Sequence, residues 1–176
     1  MEDKMSGYKT WVISDLHFCH KNIIKYCHRP FETVEQMNLY LIEQWNKTVS
    51  ESDEVLCLGD FCLAGARRVE EIGQALKGRK FLILGNHDGA SMNTYHNAGF
   101  YKISSYPIYK DGILFSHYPI TDTPVPNVHG HIHDKSLCGV NRPMEMYFNV
   151  SVDVLPKWKP INLEEIRRHF ENLKLL

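Results

Sequence analysis

Three short runs in this chain are almost wholly apolar, and each stops abruptly at a polar turn. They are residues 11–14 before Asp15, residues 54–58 before Gly59, and residues 80–84 before Gly85. Runs without polar alternation suit strands covered on both faces, the condition of a parallel α/β sheet. Helical spacing fills the gaps between them. Thr33 and Gln36 form a capping-box pair ahead of Val34, Met37, Leu41 and Trp45. Val69, Ile72 and Leu76 mark a second helix that Gly78 can end. Asn162 caps a last one, with Glu165 at the box position, Ile161 placed to staple onto Ile166, and an apolar face of Leu163, Ile166, Phe170 and Leu173.

After Gly99 the pattern turns mostly to strands, at residues 101–109, 113–116, 127–133 and 146–152, with long loops predicted at 119–126 and 134–145. The Tyr, Phe and Trp residues follow core periodicity. The 176 residues carry no linker, repeat or charge block, so one domain over 1–176 is expected, large enough to bury a core without disulfides. The five cysteines lack metal-type pairing, and residues 1–10 show no secretory apolar segment. Reduced thiols and a cytoplasmic location are the expectation. Twenty Lys and Arg against 21 Asp and Glu exclude a strongly basic nucleic-acid binder, and no apolar stretch is long enough for a membrane helix.

Ten histidines are unusual for this length, and five of them sit where strands end. The endings read Asp15-Leu16-His17, Gly59-Asp60, Gly85-Asn86-His87-Asp88, Ser116-His117 and Gly130-His131-Ile132-His133. Ligands of α/β sheets bind outside the carboxyl ends of strands. In extended backbone, residues two apart point to one side, so Asp15 with His17, and His131 with His133, can each serve one metal or flank two. A donor set of carboxylate, amide and imidazole without thiolate favours Mn, Fe, Zn or Ni over Mg and Ca.

This ordered series resembles the calcineurin-like metallophosphoesterase superfamily. The stretch from Asp15 to Ile24, with Arg29-Pro30-Phe31, resembles its small bacterial and phage phosphoesterases. The resemblance implies an α/β fold, a two-sheet β sandwich flanked by helices in four α/β/β/α layers, and two divalent metal ions. Asp15, His17, Asp60 and His133 would hold the first, and Asp60, Asn86, His117 and His131 the second, with Asp60 bridging. Two such metals would lower the pKa of bound water and so supply hydroxide for in-line attack on phosphorus. His87 is the expected general acid, with Asp88 its orienting hydrogen-bond partner.

His20, Arg29 and Arg142 are candidate contacts to substrate phosphate. The bland readings are a helix-turn position for His20 and solvated or ion-paired side chains for the two arginines. His129 is read as a close neighbour of the centre, and His28, His96 and His169 as surface residues.

Competing functions fit less well. An all-helical HD phosphohydrolase is suggested by His87-Asp88, but that pair follows a strand-like run. A metallo-β-lactamase-like hydrolase needs an Asp-His pair where this chain has His133-Asp134. A non-catalytic scaffold would have lost ligand positions that are all kept here. The expected substrate is a small phosphate ester, a nucleotide phosphodiester ahead of a monoester or phosphoprotein, because a chain this short has no room for a cap domain. Neither membrane nor long nucleic acid is an expected partner.

Overall fold

The computed structural model describes residues 7–139 and 142–176. Residues 1–6, within the stretch read above for a secretory segment, and residues 140 and 141 of the predicted loop lie outside the described residues. In chain order the first half runs β1 (Thr10–Ile13), α1 (Ile23–Tyr26), α2 (Val34–Thr48), β2 (Glu54–Cys57), α3 (Ala66–Ala75), β3 (Arg79–Ile83) and α4 (Met92–Asn97). The second half runs β4 (Phe100–Ser104), β5 (Ile108–Lys110), β6 (Ile113–Ser116), β7 (Asn127–His129), β8 (Tyr147–Asn149), β9 (Ile161–Asn162) and α5 (Leu163–Asn172).

Two mixed sheets result. The first has the order β4-β3-β2-β1-β9, parallel except for β9. The second has the order β5-β6-β7-β8, parallel except for β5. The three apolar runs form the centre of the first sheet, and their side chains explain why. Ile13, Val55, Cys57 and Leu82 pack on α2, α3 and α4 through Met37, Leu41, Trp45, Val69, Ile72 and Tyr95. Val12, Leu56, Leu58, Phe81 and Ile83 point the other way, onto Ile113, Phe115 and Val128 of the second sheet and Leu163, Ile166 and Phe170 of α5. Each such side chain contributes about 1.5–3 kcal/mol on burial, so both faces must be apolar. The outer face of the second sheet is held by residues 118–126, where Ile120 N–H donates to Asn127 Oδ1 (2.8 Å) and Tyr147 Oη donates to the Thr121 carbonyl (2.7 Å).

Local signals behave unevenly. The Thr33–Gln36 capping box forms, with Gln36 N–H donating to Thr33 Oγ1 (3.2 Å) and Thr33 N–H donating to Gln36 Oε1 (3.3 Å). Asn162 caps α5 by accepting from Glu164 N–H (2.8 Å). The predicted strand at 101–109 is two strands in different sheets, β4 and β5, broken at the turn before Pro107. The predicted strand at 127–133 stops at His129, because His131 (φ 70°) and His133 (φ 52°) are left-handed. The short α1, α4 and β9 lacked a readable period. Among the described residues no helix is long and apolar enough to cross a membrane.

Asp53 ties the entry of β1 to the loop before β2. Its carboxylate accepts from Lys9 N–H (2.9 Å), Trp11 Nε1–H (3.0 Å) and Ser50 N–H (3.0 Å). Burial alone would raise its pKa, but these donors outweigh burial and hold it at about 2, against an ordinary 3.8. The resulting stability, about 2 kcal/mol, is fully present above pH 4 and lost as pH falls through 2. Asp53→Ala is expected to lose that amount at pH 7 and little at pH 2, checked by urea unfolding at both.

Candidate metal centre

The five polar strand endings converge at the carboxyl ends of β1, β2, β3, β6 and β7. The convergence is not achieved by extended backbone. Asp15 (φ 59°), His17 (φ 50°), Asp60 (φ 52°), His131 and His133 are all left-handed. Such conformations cost roughly 1–3 kcal/mol each for a non-glycine residue and gather where function over-determines the backbone. The expected i, i+2 geometry of Asp15 with His17, and of His131 with His133, is therefore replaced by tight turns that send the members of the second pair to different groups. Gly59 (φ 97°) makes room for this, since a Cβ there would stand 2.6 Å from Gly85 N and 2.7 Å from His117 Nδ1. At Gly130 a Cβ would collide with Ser14 Oγ and Asp15 Oδ2.

Three groups of potential ligands form among the described residues, two of them at these strand endings and a third, Cys27 with His133 and Asp153, adjoining them through His133. In the first of the two, Asp15, His17 and His133 bring ligand atoms within 4.8 Å of one another, and in the second Asp60, His117 and His131 do the same. Asp60 Oδ2 lies between them, 3.4 Å from His17 Nε2 and 3.5 Å from His117 Nε2. Asn86 Oδ1 joins the second group at 3.0 Å from His117 Nε2. Asp15 Oδ1 and His17 Nε2 are buried without any hydrogen-bond partner. A buried polar atom left unpaired costs about 1–3 kcal/mol, and here both orphans face the same group. This donor set fits divalent transition ions, with all seven predicted ligands at hand.

The other nitrogen of several histidines is already engaged. His117 Nδ1 lies 2.8 Å from the Leu58 carbonyl, which fixes a proton there and leaves Nε2 with a free lone pair. His133 Nδ1 lies 2.7 Å from Asp153 Oδ2. This is the usual way a protein sets the tautomer and aim of a ligating imidazole. Burial first, then the neighbouring His133 and Arg29 charges, push the His17 pKa far down, keeping that ring neutral and available. Burial also lowers His133, but the Asp153 hydrogen bond carries it up to about 10, so an ion entering this group displaces a proton. Asp60 is held above the ordinary carboxylate range, chiefly by burial, with the Asp15 and Asp88 charges adding to it. A bound cation relieves that crowding.

Three expectations need correction. Asp88 does not orient His87: its carboxylate accepts from the backbone N–H groups of Asp60 (2.7 Å), Phe61 (2.9 Å) and Gly85 (2.9 Å), bracing the two turns that carry Asp60 and Asn86. Arg29 is not placed for substrate. It is buried, donates to Asp153 through Nε (2.9 Å) and Nη2 (3.0 Å), and holds the Leu16 and Asp15 carbonyls at 2.9 and 2.8 Å. Arg142 is exposed and reaches Asp122 at 3.6 Å, not the ligand groups.

His87 and His20 do reach the centre. His87 is exposed, its ring 5.2 Å from that of His17 and 5.7 Å from that of His20, while its backbone N–H donates to Asp60 Oδ1 (2.8 Å). His20 Nδ1 lies 3.4 Å from His17 Nδ1. His129 is buried in β7 against the Gly130 carbonyl, outside both groups.

Sequence reasoning missed Asp153 and Ser151. Burial works against ionisation of Asp153, but His133 and Arg29 hold its pKa below the usual range. Ser151 Oγ donates to Asp15 Oδ2 (2.9 Å), beside His131 N–H (2.8 Å). Both residues follow β8 in an ordinary-looking stretch, and no local motif marks them.

Comparison with known proteins bears on the family and the fold. The chain is 37% identical to an uncharacterized protein of Methanocaldococcus jannaschii over 98% of its own length and 97% of the relative's. It is 36% identical to the gene 66 protein of Mycobacterium phage L5 over 46% of this chain and 40% of that one. Among solved structures, a protein of unknown function from Aquifex aeolicus superposes with a TM-score of 0.69 at 26% identity, covering 92% of this chain and 98% of that one. The fold is also that of a Pseudomonas putida nuclease, with a TM-score of 0.51 at 18% identity over 70% of this chain and 61% of the nuclease. The sequence profile described as calcineurin-like phosphoesterase matches residues 8–174, and the chain belongs to that family.

Proposed function

We propose that this chain is a metal-dependent phosphodiesterase acting on nucleotide-sized esters. The observation that carries the reading is the position of Asp60 Oδ2 between the two ligand groups, 3.4 Å from His17 Nε2 in one and 3.5 Å from His117 Nε2 in the other. Asp15, His17, Asp60 and His133 would hold one ion, and Asp60, Asn86, His117 and His131 the other. Bound there, manganese or a similar divalent pair supplies Lewis acidity toward phosphoryl oxygens and a nucleophile at neutral pH.

The chain's own residues do the rest. The backbone N–H of His87 is fixed to Asp60 Oδ1, so the residue is tethered beside that carboxylate. From that exposed position it protonates the departing alkoxide, a role worth about 10²–10⁴ in rate. His20 flanks the same approach. Asn86 and His87 are open to solvent, and the chain has a net charge of −1, which suits a small ester better than a long polyanion.

The test is a substrate panel with the manganese-loaded protein: bis-aryl and alkyl-aryl phosphodiesters, cyclic nucleotides, an aryl monophosphate and a phosphopeptide. Turnover of the diesters is expected. Activity confined to the monoester and phosphopeptide would overturn the reading in favour of a monoesterase or protein phosphatase. In the same panel His87→Gln is expected to keep its metals and lose about 10²-fold or more on alkoxide-leaving esters. Loss on nitrophenyl esters should be smaller, since that leaving group needs little protonation. Full activity on the poor leaving groups would remove His87 from the role.

A further inference from the structure

The two sheets part near the carboxyl ends of β3 and β6, and a cavity of about 290 Å³ opens there beside His117. Ile83, Leu84 and Ile120 give it an apolar floor, and Tyr106, Pro107 and Tyr118 stand at its rim. Among the described residues, none that lines it is Lys, Arg, Asp or Glu.

The two tyrosines are unusual in how they are held. Each follows a strand end by two residues, and each is pinned by the serine that ends the strand. Ser104 Oγ donates to the Tyr106 carbonyl (2.9 Å) and accepts from its N–H (3.1 Å), while Ser116 Oγ donates to the Tyr118 carbonyl (2.6 Å). Their backbones are fixed, yet Tyr106 is 77% exposed and Tyr118 49% exposed. Tyr118 also meets the metal-ligand imidazoles directly, its ring 4.9 Å from that of His117 and 4.3 Å from that of His131. A single exposed tyrosine needs no explanation. Two anchored ones at the rim of an uncharged cavity that shares His117 with the metal centre form a receptacle for a flat ring.

We infer that this cavity takes the nucleobase of the substrate while the phosphate lies at the metal centre, with Tyr106 and Tyr118 as specificity-determining residues. The inference rests on the phosphoesterase reading above. Stacking suits the case because every base presents a π-face, and tyrosine offers its ring at low entropic cost. The uncharged lining gives no partner to a second phosphate, so the favoured ligand is a nucleoside carrying a single phosphoryl group. Polyphosphates and acidic phosphopeptides are disfavoured.

The experiment is calorimetric titration of the manganese-loaded full chain with two hydrolysis-resistant probes, methylphosphonate and the 5′-methylenephosphonate of thymidine. The nucleoside probe is expected to bind at least about tenfold more tightly, and that ratio is expected to fall about tenfold in Tyr106→Ala and in Tyr118→Ala. Tyr106→Phe and Tyr118→Phe should keep it. Equal affinity of the two probes for the wild-type protein, or an unchanged ratio in both alanine variants, would overturn the inference. Because binding is read as a ratio within each variant, the result holds whether the enzyme cleaves diesters or monoesters. Failure of the functional reading would instead show as absent turnover in the substrate panel.

Discussion

Asp60→Asn is expected to abolish loading of both ligand groups and to lower turnover by roughly 10³-fold or more, about 4 kcal/mol of transition-state stabilisation. The amide can keep its bond from the His87 N–H through one oxygen, so the turn should survive. Its NH₂ then falls where Oδ2 now stands between the two Nε2 atoms, and neither group retains an anionic member in common. The decisive control is stability. Asp60 is held above the ordinary carboxylate range by burial and by Asp15 and Asp88, so removing its charge relieves the metal-free protein. Elemental analysis should show the metals gone while the thermal midpoint of the metal-free variant does not fall. A variant that still binds two ions per chain would remove Asp60 from its bridging place.

Arg29→Ala is expected to destabilise the fold by about 3–5 kcal/mol, the cost of breaking a buried ion pair and leaving its partner charged. Asp153 would lose two guanidinium bonds, and the Asp15 and Leu16 carbonyls would lose the donor that fixes the first ligand turn. Denaturant unfolding measures the loss. Lysine should not rescue it, because the four bonds need a planar fork. Adding Asp153→Asn to Arg29→Ala should recover part of the stability, since the stranded carboxylate is then neutral. Metal affinity should also fall, by about 10–100-fold, because Asp153 aims His133. An Arg29→Ala protein of native stability would return Arg29 to the list of substrate contacts.

These two residues show where sequence is informative and where it stops. The strand endings at Asp15, Asp60, Asn86, His117, His131 and His133 could be read because polar groups after apolar runs are a local pattern, and a sheet brings such ends together. What a charged side chain then faces is not local. Arg29 could be read as a phosphate contact or as an ion-paired side chain, and the partner that decides it, Asp153, is 124 residues away in the chain. Asp88 adjoins His87 in sequence, but two of its three backbone donors, Asp60 and Phe61, come from the turn after β2.

Backbone hand was equally hidden. The i, i+2 spacing of His131 and His133 suggested one extended face, whereas both are left-handed, and it is tight turns that give the division between two ligand groups that the family resemblance implied. Tyr106 and Tyr118 blended into an aromatic content that mostly fills the core, and only their exposure separates them.

Each ligand group draws on both sheets. Asp15 and His17 follow β1 while His133 lies beyond β7, and Asp60 follows β2 while His117 and His131 lie beyond β6 and β7. The apolar layer between the sheets is non-directional and would tolerate small slips of one sheet over the other. The ligand atoms would not, since a displacement of one ångström separates donors that must share an ion. The centre therefore acts as a vernier on the sandwich: ion binding selects one alignment of the two halves, and mutations deep in the shared core can reach the chemistry through that alignment alone.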